Sequence, residues 1–170
     1  MPSLRQLLAQ RDEDVLELQK EIRKLKTQIE YARGVPVERL IAEWTGGEIT
    51  AYKHSHDVTT KKGKLLEVKY SKIHTQKTKR WVWDSLRGEN RTKIYHFLVL
   101  AGSKEGLYGY PDDLQYALFL LPLKAVEHMN RDSVALNTNL QKARGLHAPL
   151  LINHLVHSRS EFLELLEDPD

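Results

Sequence analysis

Residues 93–102 read KIYHFLVLAG, an apolar run rich in β-formers and closed by Gly102. It is far too short to cross a membrane, which takes roughly 18 apolar residues or more. Its length and composition predict a strand covered on both faces, at the centre of a sheet. Such a strand needs layers above and below it, so the chain is expected to be α/β or α+β: a central mixed β-sheet flanked by helices. The length of 170 residues suits one ordinary domain with one added element.

The other predicted elements fit that frame. Ser3 and Gln6 form a capping-box pattern. Beyond it, Leu4, Leu8, Val15, Leu18, Ile22, Leu25, Ile29 and Ala32 recur at alternating spacings of three and four, broken at Arg11. This predicts a long N-terminal amphipathic helix over residues 1–33, ending near RGVP, with a narrow seam that pairs with a second copy as a dimerisation coiled coil or packs on its own domain. The main domain then covers residues 34–170. It opens with a shorter helix in VPVERLIAEWTGG, with Pro36 near its first turn and Gly46 and Gly47 ending it. EITAYKHSHDVTT and KLLEVKYSKI read as two strands joined at KKGK, with Gly63 able to take the positive φ of the turn. LQYALFLLPL reads as a further strand and KAVEHMNRDS as the start of a helix, with helix-like pieces to the end.

Charge is concentrated rather than large. Twelve basic residues stand against four acids between Lys53 and Lys93, a local +8; a whole-chain charge of +3 leaves −5 for the remainder. A basic centre of this kind suggests a polyanion-facing surface, the alternative being lysines that merely keep a hairpin soluble. With 41% hydrophobic and 29% charged residues, no membrane span, no apolar leader and no cysteine, the composition predicts a soluble cytoplasmic protein without disulfides or thiolate metal sites.

Inside the basic stretch lies a chemical constellation. On a strand Glu67 and Lys69 share one face, while Leu66, Val68 and Tyr70 share the other. Asp57, ten residues before Glu67 and across a short turn, can be brought beside it; the alternative is a plain exposed hairpin in which Glu67 and Lys69 are solvated or form cross-strand pairs. Two converging carboxylates repel unless a cation sits between them. A hard divalent ion such as Mg²⁺ binds through one or two carboxylates, water and substrate phosphate, and it can polarise a phosphodiester and lower the pKa of a bound water. A neighbouring lysine orients that water and neutralises developing charge.

Asp57 followed by Glu67-Val68-Lys69 on the next strand resembles the active-site signature of the PD-(D/E)xK nucleases, the restriction-endonuclease-like superfamily. GVPVERLIAEW is similar to the first helix of that core, with Glu38 at the position of its accessory acid. TKRWVWDSLRG and TKIYHFLVLAG look like the following segment and central strand, so the resemblance spans roughly residues 34–123. His56 stands where the pattern has proline. The resemblance implies a restriction-endonuclease-like core and Mg²⁺-dependent DNA cleavage, with Mn²⁺ as a substitute and no small-molecule cofactor. It also implies a homodimer, metal ligands Asp57, Glu67 and the Val68 carbonyl, and catalytic roles for these acids with Lys69 and Glu38. Glu43 and Glu48 are the other acids near that helix. Lys61, Lys62, Lys72, Lys77, Lys79 and Arg80 are the expected phosphate contacts.

Other features carry less. His54 and His56 share a strand face but lack a third ligand for zinc. Pro111-Asp112 is a literal Pro-Asp pair with no E-x-K after it, and reads as a loop. Trp81 and Trp83 share a face and either stack on bases or lie over the sheet, core packing being expected for at least one. Restriction, junction-resolving, repair and homing nucleases share the motif. A nucleic-acid-binding module without cleavage and a coiled-coil interaction protein are the rivals from other classes.

Overall fold

The computed structural model describes residues 1, 4–50, 55–75, 77–88, 93–129 and 131–167, with the backbone alone at residues 4, 5 and 26–34. Ser3 and His54, and the side chains of Leu4, Ile29 and Ala32, lie outside the described residues. The chain divides into two compact units, Met1–Val35 and Pro36–Asp170. Helical backbone of α1 runs over Leu4–Thr45 with Pro36 inside it, where the sequence predicts an end near RGVP and a second helix. An interior proline removes one backbone hydrogen bond and crowds the preceding turn. Here the turns after it are held from outside, because Val37, Ile41 and Ala42 are buried in a core that includes Val58, Leu66, Val68, Val99 and Phe162.

α1 ends in a Schellman arrangement: the Gly46 N–H donates to the Glu43 carbonyl and the Gly47 N–H to the Ala42 carbonyl, at 3.3 and 2.9 Å. A Cβ on Gly47 would stand 2.3 Å from the Thr59 carbonyl oxygen. Only glycine lets the following hairpin lie this close against the helix end.

Among the described residues five strands form the main sheet in the order β1-β2-β3-β5-β6: β1 Glu48–Ile49, β2 Val58–Thr59, β3 Leu65–Ser71, β5 Phe97–Gly102 and β6 Ala117–Pro122. β3 and β5 are parallel, in register Glu67 to Leu98 and Lys69 to Leu100, and the other pairs are antiparallel. The fold is therefore mixed α/β with a mixed central sheet flanked by helices. β5 is buried along its whole length, as its run of apolar residues predicts. The expected single strand over EITAYKHSHDVTT is instead two short strands, β1 and β2, that pair with each other. Gly63 turns the chain from β2 into β3 with φ +81°.

β4 Arg80–Trp83 pairs with β7 Val134–Asn137 in a second, two-stranded antiparallel sheet. β7 begins in the gap between the expected start of a helix in KAVEHMNRDS and the helix-like pieces that follow from Asn137, and its four residues are too few for periodicity to report. Trp81 and Trp83 of β4 are buried with Leu98, Leu100 and Phe119. This layer, with α2 Leu123–Met129 and α3 Ala148–Asn153, covers one face of the main sheet. The other face is covered by residues 37–42 and by α4 Arg159–Glu167 through Phe162 and Leu166.

Candidate active site

The β2–β3 ladder breaks at one point. Val58 pairs with Leu66, and the Asp57 N–H still donates to the Leu66 carbonyl at 2.9 Å. One step further, the Val68 N–H would meet the His56 carbonyl in a regular antiparallel ladder. It donates instead to Asp57 Oδ2 at 2.8 Å, while the His56 carbonyl accepts from the Thr50 hydroxyl. A carboxylate thus takes the place of a backbone acceptor, and β2 parts from β3 beside Val68. The N–H and C=O of a strand residue leave on the same side, so the Val68 carbonyl faces this opening too.

Glu67 and Lys69 share one sheet face, and Leu66 and Val68 belong to the core on the other, with Tyr70 packed against it. Glu67 is fully buried. Its Oε1 lies 2.7 Å from Lys69 Nζ and 3.2 Å from Lys93 Nζ. At 2.7 Å the Lys69 contact is close enough for a charge-assisted hydrogen bond, but neither lysine is well aligned for one, and Oε2 has no partner among the described residues. Burial, and then the charge of Asp57, push the Glu67 carboxyl above its ordinary value against the pull of the two lysines. Glu38, buried on α1, is pushed up to about 7 by burial first and then by Asp57 and Glu67. Three carboxyls therefore feel one another's charge at the opening, with two ammonium groups beside them.

Lys93 is the member that sequence reading missed. It lies 24 residues beyond Lys69 in an irregular segment, where no spacing links it to the motif. Backbone bonds bring it in: the Lys93 N–H donates to the Arg87 carbonyl, Ile94 to Ser55 and His96 to Leu65. The Ile94 bond ties this segment to the loop leading into Asp57. The one available signal is its place just before the buried strand that β3 must join.

The expected nucleic-acid contacts do not form one cluster. Lys61 and Lys62 are exposed at the turn before β3, and Lys72, Lys77, Lys79 and Arg80 are exposed beyond its far end. Lys62 is ion-paired with Glu167 of α4. Seven strand residues, about 23 Å, separate the two groups, and the carboxyls lie between them. His56 Nε2 is 2.9 Å from the Thr59 hydroxyl and Nδ1 3.2 Å from that of Ser55, local bonds that occupy both ring nitrogens. Trp81 and Trp83 are both core residues, and Asp112 lies in a loop. Among the described residues no three His, Asp or Glu side chains stand together as a ready-made metal cage. No family model matches the chain, and no curated protein matches it.

Proposed function

We propose that the protein is a Mg²⁺-dependent endonuclease that hydrolyses DNA phosphodiester bonds on a restriction-endonuclease-like core, and that it works as a homodimer. The observation that carries this reading is the convergence of Asp57, Glu67 and Lys69 where β2 parts from β3, with Glu67 Oε2 buried and without a partner among the described residues. A buried acceptor left unpaired costs on the order of 1–3 kcal/mol, and it is the atom that a divalent ion would satisfy. Asp57, Glu67 and the Val68 carbonyl suit an ion that keeps several waters and takes phosphate oxygen from its substrate. When bound, Mg²⁺ or Mn²⁺ supplies Lewis acidity toward the phosphodiester and acidity to a bound water.

The chain's own groups account for the rest. Lys69 Nζ, partly exposed beside Glu67, orients the attacking water and neutralises charge on the phosphate. Lys93 balances the same carboxylate from the other side. Glu38, protonated in part near neutral pH, is the accessory acid that can give or take a proton at the opening. Lys61 and Lys62 on one flank, and Lys72, Lys77, Lys79 and Arg80 on the other, hold the phosphate backbone on both sides of the scissile bond. Restriction-type cleavage at a symmetric site is the role that suits a dimer; junction-resolving, repair and homing roles use the same chemistry.

The two lysines at Glu67 also support a second reading, a nucleic-acid-binding module in which they permanently neutralise a carboxylate that holds no metal. A nicking time course separates the two. Wild type, Glu67→Gln and Lys69→Ala are compared with Mg²⁺ and with EDTA on plasmid, four-way junction and single-stranded DNA. Metal-dependent cutting lost in both folded variants supports the nuclease. Folded wild type that binds DNA in a salt-sensitive way yet cuts none of these substrates leaves the binding module.

A further inference from the structure

From Gln6 to Leu25 every side chain of α1 is exposed in the single chain. In proteins most helical stability comes from burying an apolar face. Here Leu8, Val15, Leu18, Ile22 and Leu25 are 45–58% exposed, so the helix by itself leaves these five described seam residues uncovered.

The order of residue types along the seam says what covers it. Alternating steps of four and three fall on the a and d positions of a seven-residue repeat. Leu8, Val15, Ile22 and Ile29 take a; Leu4, Arg11, Leu18, Leu25 and Ala32 take d. In the middle heptads the pattern is β-branched at a and leucine at d, the combination that packs as a parallel pair of helices rather than a trimer or tetramer. The flanking charges agree. Glu21 at g and Lys26 at e stand five residues apart, the spacing that attracts across a parallel pair. Arg11, the seam's one charged residue, is followed by Asp12 at e, which in a parallel pair lies beside the partner's d position. An antiparallel pair would set the g positions, which include Asp14 and Glu21, against one another.

We infer that residues 4–32 pair with a second copy of this chain as a parallel, in-register, two-stranded coiled coil. Both chains then leave the rod at the same end, side by side. This deepens the homodimer of the proposed function, yet it stands on exposure and residue order and is independent of cleavage.

The test uses the full chain and reads assembly, not nicking. Sedimentation equilibrium of wild type should give a dimer, and Ile22→Lys should raise its dissociation constant at least about 100-fold, since it buries a charge in the seam. Because the chain has no cysteine, Leu25→Cys reports orientation without background. Under oxidation it should form a covalent dimer with itself. A size-tagged Leu8→Cys mixed with untagged Leu25→Cys should form no mixed dimer. A monomer, a trimer or tetramer, or cross-linking confined to the mixture would each overturn the inference. Circular dichroism of Ile22→Lys at dilutions where wild type is still paired separates loss of pairing from loss of the remaining fold.

Discussion

One face of the central sheet buries polar atoms in two contrasting ways. At β4 the indole N–H groups of Trp81 and Trp83 donate to the Ser103 and Ala101 carbonyls at 3.1 and 3.0 Å. At β3 the Glu67 carboxylate is just as buried, but one oxygen has only two poorly aligned lysines and the other nothing among the described residues. The first arrangement is what burial of a polar group requires for stability. The second costs stability and lies at a ladder break where other charges gather, which is the ground on which an active site is proposed there. The comparison teaches that the tryptophans secure the fold and that the acids draw on it.

If that contrast is right, truncating the tryptophan side hurts stability most. Trp81→Ala should lose about 3–5 kcal/mol in chemical denaturation, while nicking per folded molecule stays within a few-fold. A loss under 1 kcal/mol would break the comparison from that side. Lys69→Ala should do the reverse, with cleavage reduced by about 10²–10³-fold and a nearly unchanged unfolding midpoint. Equal losses of stability and activity in this variant would make the lysine merely structural.

Gly102→Ala probes how tightly the tryptophan layer is seated. Its Cβ would stand 2.4 Å from the Trp81 ring, so about 1–3 kcal/mol of stability should go as the ring is displaced. A neutral result would mean the layer gives way more easily than its packing implies.

Glu38 sharpens the acidic side through pH. In the unfolded chain its carboxyl ionises near 4.5, and in the fold at about 7. The native state therefore holds a proton that the unfolded state has released, and stability falls as pH rises from 4.5 to 7 and then levels off. Glu38→Gln removes that fall. Urea titrations in EDTA should show wild type and variant alike near pH 4.5, and the variant about 3 kcal/mol more stable at pH 8. Identical differences at both pH values would remove Glu38 from the cluster.

The smallest effect is expected at the turn. Lys62→Ala breaks an exposed pair with Glu167 and should cost about 0–1 kcal/mol. It should also lower the salt slope of DNA binding by about one. An unchanged slope would take Lys62 out of the phosphate-contacting set.

The amino-acid order carried much of this. The apolar run of β5, the Gly63 turn and the opposed faces of β3 follow from spacing and residue type alone, because strand alternation and positive φ act within a few residues. The break of EITAYKHSHDVTT into β1 and β2 did not, since it depends on Thr50 and Asp57 capturing bonds that a regular ladder would have used. β7 was invisible because it is a strand only through pairing with β4. The helix through Pro36 was misjudged because local preference against interior proline was outweighed by burial of Val37 and Ile41.

By itself, then, the sequence determined a mixed α/β domain around β5, a basic middle, a seam with a seven-residue repeat, and the residue types Asp57, Glu67 and Lys69 on adjoining segments. Each of these is a short-range property of neighbouring residues. Only the tertiary structure decided that Glu67 is wholly buried, that Asp57 occupies the ladder position opposite Val68, and that Glu38 lies within reach of both charges. It alone brought in Lys93, 24 residues past Lys69, and put both Trp81 and Trp83 in the core. Burial and charge coupling are sums over groups far apart in the chain, and the parallel docking of β5 on β3 is what sets most of those distances.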